Sequence, residues 1–143
     1  MRYRFLEDVA TADIAFEASG ATLEEVFTAS AEATLNVMIE GLDTVEPREE
    51  RAISLIDTSL EMLLFNFLQE VIFYKDAEQL LLRVTDCRIR ETNGEFRLTA
   101  SGRGERLDPT RHEQRVDVKA VTLHQFRLGN VDGEWRAHVI LDI

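Results

Sequence analysis

The sequence has one cysteine, two prolines, seven glycines and two lysines among its 143 residues. Each shortage excludes something. A lone Cys87 cannot form an internal disulfide or a redox or zinc pair, which fits a reducing compartment and a passive thiol. Scarce Pro and Gly argue against long disordered linkers. No run of about 18 apolar residues and no N-terminal apolar segment before a cleavage site appears, so the expectation is a cytoplasmic protein with no membrane partner. The mechanical motifs are missing too: no G-x-G-x-x-G, P-loop, G-x-S-x-G or H-E-x-x-H.

What is present is an acidic, globular composition. Hydrophobic residues make up 45% and charged residues 30%, with a net charge of −11. The length suits one domain, 1–143. Nearly all of the negative excess falls in residues 1–82, and the remainder is close to neutral. That balance argues against a broad nucleic-acid footprint, which needs a basic surface. It suits a basic protein partner or a divalent cation.

Periodicity supplies the elements. Tyr3 and Phe5 alternate with Arg2 and Arg4, and Ile14 and Phe16 alternate with Asp13, Ala15 and Glu17, giving two short strands. The stretch "ATLEEVFTASAEATLNVMIEG" predicts a helix with Thr22 as N-cap, Glu25 completing a capping box and Gly41 as the stop. A strand near Arg51–Ile56 precedes a second helix that starts after Asp57, Thr58 or Ser59. Leu60, Leu63, Leu64, Phe67, Leu68, Val71 and Ile72 form its core face. Met62, Phe65 and Phe73 form a second stripe, which predicts cover on more than one side. From residue 79 the chain reads as sheet. Asn93–Gly94 and Asn130–Val131–Asp132–Gly133 mark two hairpins, and "GERLDPTRHEQR" reads as a polar loop. The order β-β-α-β-α-β-β-β-β is α+β, a largely antiparallel sheet with two helices packed on one face.

Candidate chemistry lies at strand ends. Asp13 opens one apolar strand, and Asp142 closes "AHVILDI", followed by Ile143. If the two strands are neighbours, their carboxylates converge with the terminal one, an all-oxygen set suited to Ca²⁺ or Mg²⁺. Lys119 interrupts "VDVKAVTLHQF"; strict alternation would put it on one face with Asp117, Val121 and Leu123. It reads either as part of a solvated face or as a contact to phosphate or to a partner's carboxylate. The histidines His112, His124 and His138 show no ligand spacing.

The segments "TADIAFEASGATLEEVF", "LEMLLFNFLQEVIFYKD", "GERLDPTRHEQRVDVKAVTLH" and "VILDI" together make the chain similar to the archease family over nearly its whole length. The resemblance implies a non-catalytic cofactor protein, not an enzyme, that activates an RtcB-type RNA ligase in tRNA splicing and RNA repair. Such a ligase uses GTP and manganese through a guanylylated histidine, and the archease promotes guanylylation and multiple turnover. The resemblance also implies a divalent cation held by Asp13, Asp142 and Ile143, Ca²⁺ first with Mg²⁺ or Mn²⁺ as alternatives. The family's V-K-A-V-T lysine corresponds to Lys119. No direct nucleic-acid binding is expected on this reading. Ala10 stands where the family has histidine, and Leu123 where it has tyrosine. Two other readings remain open on the residues alone: a metal-dependent phosphoesterase acting on nucleotides, and a chaperone-like binding module.

Overall fold

The computed structural model describes residues 1–6 and 13–143. The strands and helices follow the expected order: β1 (Arg2–Leu6), β2 (Asp13–Gly20), α1 (Leu23–Met38), β3 (Glu49–Asp57), α2 (Leu60–Glu78), β4 (Leu80–Thr92), β5 (Glu95–Arg106), β6 (Ala120–Val131) and β7 (Glu134–Asp142). A short 3₁₀ turn, Leu42–Thr44, lies between α1 and β3. The described strand pairs are antiparallel. They divide into two sheets, β1-β2-β7-β6 and β3-β5-β4, where periodicity alone gave one. Both helices contact both sheets: α1 packs on β2 and β4, and α2 on β3, β4 and β6. The helix pair thus ties the sheets around one core.

Local chemistry sets the helix starts. The Thr22 hydroxyl accepts from the Glu25 amide at 3.1 Å, and the Ser59 hydroxyl from the Met62 amide at 3.2 Å. Each satisfies a donor that the first turn leaves orphaned. The end of α1 differs from expectation. The helix stops at Met38, with Ile39 extended, and Gly41 lies beyond it at φ −109°, outside the left-handed region. Tertiary partners end it instead. Asn36 donates to the carbonyls of Ile39 and Glu40, while the amides of Arg115 and Val116 donate to Met38 and Val37. These satisfy carbonyls that a glycine cap would otherwise have served.

α2 buries Leu63, Leu64, Phe67, Leu68, Val71 and Ile72. Phe67 is fully buried and stacks near Phe27 of α1, with ring centroids 5.8 Å apart. Truncating such a residue costs about 3–5 kcal/mol. The expected second stripe is only partly covered. Phe65 meets Phe126 edge-on at 5.8 Å, but Phe73 is 54% exposed and rests on Tyr74. Both hairpins turn as their sequences predict. Asn93–Gly94 and Asp132–Gly133 all have positive φ, the geometry whose twist matches the flanking strands.

Candidate cation and partner site

β7 is an inner strand of the four-stranded sheet, between β2 and β6. Its Ala137, Val139 and Leu141 join the core. Alternation therefore sends His138, Ile140 and Asp142 to the outer face. On β2, Phe16 and Ala18 join the core, so Asp13, Ala15, Glu17 and Ser19 also face outward. The register pairs Asp13 directly with Asp142. Directly opposed residues hold their Cβ atoms about 4.5–5.5 Å apart, within reach of one ion. Like charges so placed destabilise the pairing. Ile143 follows, half-buried, with its side chain against the core.

The donor chemistry of this strand end fits a hard divalent cation. Among the described residues no group of three or more His, Cys, Asp or Glu side chains gathers. Among the described residues the side-chain set is therefore two carboxylates. Ca²⁺ takes six to eight oxygens and Mg²⁺ keeps several waters. Ala10 and Thr11 lie outside the described residues.

Lys119 comes to the same place by its backbone. Its amide donates to the Asp142 carbonyl at 2.8 Å, and Ala120 pairs with Asp142. β6 begins only at Ala120, and both Val118 and Val121 are buried. Strict alternation through Lys119, with Asp117, Val121 and Leu123 on its face, therefore does not hold. Residues 115–121 are instead fastened from several sides. The Arg115 and Val116 amides bond the end of α1. Lys75 meets Asp117 at 3.3 Å. The Gln69 side chain accepts from the Val121 amide at 2.9 Å. Lys119 itself is exposed. Four residues from distant parts of the sequence, Asp13, Lys119, Asp142 and Ile143, thus share one end of the sheet.

A buried polar cluster in the loop before Lys119 escaped the sequence reading. Glu105, at the end of β5, is 6% exposed. It accepts from the Glu46 amide at 3.0 Å and Arg48 Nε at 3.2 Å, and from Arg111. His112 is 1% exposed, and its Nε2 lies 2.9 Å from Glu105 Oε1. The Asp108 amide donates to His112 Nδ1. Nδ1 is therefore the acceptor, and Nε2 carries the proton toward Glu105. Burial pushes the Glu105 carboxyl up, but the Glu46 amide, His112 and Arg111 outweigh it and hold the carboxyl below its usual range. Arg106, Arg111 and His112 follow Glu105 within seven positions, and that bunching of donor side chains after one acid was the available signal.

An α+β domain with two antiparallel sheets, two helices and facing carboxylates at a sheet end is the class these features define. The family model described as "Archease protein family (MTH1598/TM1083)" matches residues 3–143, and the chain belongs to the archease family. It is 38% identical over 134 residues to a protein archease of Pyrococcus abyssi, covering 93% of this chain and 94% of that one. The solution structure of protein 1598 of Methanobacterium thermoautotrophicum is 37% identical. It superposes with a TM-score of 0.85, covering 99% of this chain and 98% of that one. A crystal structure of an archease from Thermotoga maritima, described as a "possible chaperone", shares the fold at 20% identity and a TM-score of 0.65, with 98% of each chain covered.

Proposed function

We propose that this chain is a non-catalytic protein cofactor that activates an RtcB-type RNA ligase by promoting its guanylylation and multiple turnover. Asp13 and Asp142, with a main-chain or terminal oxygen of Ile143, hold a divalent cation, Ca²⁺ before Mg²⁺ or Mn²⁺. Membership of the family supports the reading. The observation that carries it is the facing pair Asp13–Asp142, with Lys119 fastened beside it. The chain's acidity complements a partner whose nucleotide- and RNA-binding cleft is basic. Lys119, exposed and bonded through its amide to the Asp142 carbonyl, meets a carboxylate or phosphate of that partner on this reading.

The test is to incubate a cognate ligase with GTP, Mn²⁺ and this protein in the absence of RNA, and to follow label on the ligase. The wild-type chain accelerates labelling, and Asp13→Asn and Asp142→Asn lose the effect while remaining folded. Absence of acceleration by the wild type overturns the reading. The description attached to the Thermotoga maritima relative favours a second reading, a binding module with no cation role. On that reading Asp142→Asn leaves function intact.

A further inference from the structure

The outer face of the four-stranded sheet has two ends of opposite charge. At the end away from Asp13 and Asp142, the register forms two cross-strand rows. One runs Arg4, Glu17, His138, Arg127, and the next runs Arg2, Ser19, Arg136, Gly129. All four arginines are exposed. They come from both ends of the sequence, so the charge tally by halves conceals them. On a chain of net charge −11 they are a local inversion of sign. Arg4 meets Glu17 at 2.8 Å and Arg136 meets Glu134 at 3.0 Å. Arg2 donates to Ser19 at 3.3 Å, and Arg127 has no ion-pair partner among the described residues. A cleft of about 510 Å³ lies over the strands here, with Arg2, Arg4 and Arg136 as well as Glu17 and Glu134 in its lining. At Gly129 an added Cβ would meet nothing within 4 Å, so that side of the face is open.

We infer that this arginine end of the sheet docks the phosphodiester backbone of single-stranded RNA. The choice of RNA rests on the ligase reading above, which brings an RNA strand within reach, and it departs from that reading's expectation of no direct nucleic-acid contact. Guanidinium forks match phosphate oxygens bidentately, which an ammonium does not do, and neither lysine of the chain lies in these two rows. The arginine row crosses three inter-strand steps, about 14 Å, long enough to follow a strand rather than a single anion. An acidic peptide gains less here, because Glu17 and Glu134 already offer the arginines carboxylates. A polyanion adds counterion release to the exchange. The outer face of these strands carries no Phe, Tyr or Trp, so the contact is to backbone and indifferent to base sequence. The buried row of Ala15 and Ile140 lies between the two ends, and Asp13 stands about 13 Å along the strand from Glu17. The carboxylate end repels the RNA and confines it to the arginine rows.

The experiment measures fluorescence anisotropy of a labelled single-stranded oligoribonucleotide against the isolated protein at rising salt. Wild type binds with a salt-dependent affinity. The combined variant Arg2→Gln, Arg4→Gln, Arg127→Gln, Arg136→Gln binds about tenfold or more weakly, and its log–log salt slope is shallower by about three, as expected for four lost contacts to a single strand. Arg88→Gln with Arg90→Gln, exposed on β4, changes neither. The pair Arg2→Gln, Arg136→Gln alone serves if the combined variant does not fold. Absence of wild-type binding at low salt, or unchanged binding by the variant, overturns the inference. Competition by polyglutamate equal per charge to the oligoribonucleotide also overturns it and gives the face to a protein. Ligase guanylylation without RNA is unchanged in the variant; its loss there would likewise assign the face to the ligase. RNA binding that persists while wild type fails to stimulate guanylylation would sink the ligase reading alone.

Discussion

Asp13 and Asp142 face each other across the β2–β7 ladder although nearly the whole chain lies between them. Two like charges in direct register weaken the pairing by about 0.2–1 kcal/mol, and a bound cation reverses the sign. Asp13→Asn or Asp142→Asn should therefore raise the melting temperature slightly in chelator and abolish the rise produced by Ca²⁺. For wild type, cation at a hundred times its Kd adds about 2.7 kcal/mol. Calorimetric melts with chelator and with Ca²⁺ measure both. Deleting Ile143 should shrink the Ca²⁺ response and also lower the chelator melt, because its side chain packs on the core.

The Glu105 cluster sets an acid limit. A carboxyl held below its usual range in the fold stabilises the protein above its unfolded pKa, and that stability is lost as pH falls through the folded value. The usual glutamate value is 4.5. Urea midpoints should therefore fall below that pH, and the fall should be shallower in Glu105→Gln. At neutral pH Glu105→Ala should cost about 1–3 kcal/mol, because it leaves the buried His112 Nε2–H and the Glu46 amide without their acceptor.

Gly104 admits no side chain. An added Cβ would lie 1.8 Å from the Leu81 carbonyl oxygen, a backbone atom that cannot swing aside. Gly104→Ala should unfold or grossly destabilise the β4–β5 hairpin. Gly129→Ala, where the added Cβ meets nothing, should melt within a few degrees of wild type. Circular dichroism melts of the two variants compare them directly.

Cys87 should be inert. Burial, then Glu24 and Asp86, push its thiol up to about 12, and the thiolate is the reactive form. Labelling by an aromatic disulfide reagent at mildly alkaline pH should be slow for the folded protein and fast in denaturant. Rapid labelling of the folded chain would contradict the burial of this side chain.

Features encoded within a few residues were legible in the sequence. Thr22 caps α1, Ser59 caps α2 as one of the three starts that the sequence left open, and Asn93–Gly94 and Asp132–Gly133 turn their hairpins, because each needs only its neighbours. Features set by distant partners were not. Gly41 looked like the stop of α1, but residues 113–116 end the helix from outside. Lys119 looked like a position in an alternating strand, but α1, α2 and β7 all fasten its segment and break the alternation. The splitting of the strands into two sheets depends on pairings that no local pattern specifies. Asp13 and Asp142 were visible as carboxylates at strand ends, while their register required the sheet itself. Glu105 and His112 read as loop polarity because burial of a charge leaves no periodic trace.

The position of β7 has a consequence for the order in which the molecule assembles. β3, α2, β4 and β5 are contiguous in sequence, and the β4–β5 hairpin and the β3–β5 pairing need only modest loops to close. β2 must wait for β7, and that closure encloses almost everything else. Long closures are slow because their entropy is lost before their contacts are gained. The facing aspartates therefore come into being last, and on the proposed cation role binding would mark a molecule that has finished folding. In a refolding experiment, the Ca²⁺ response should lag behind the recovery of helical circular dichroism.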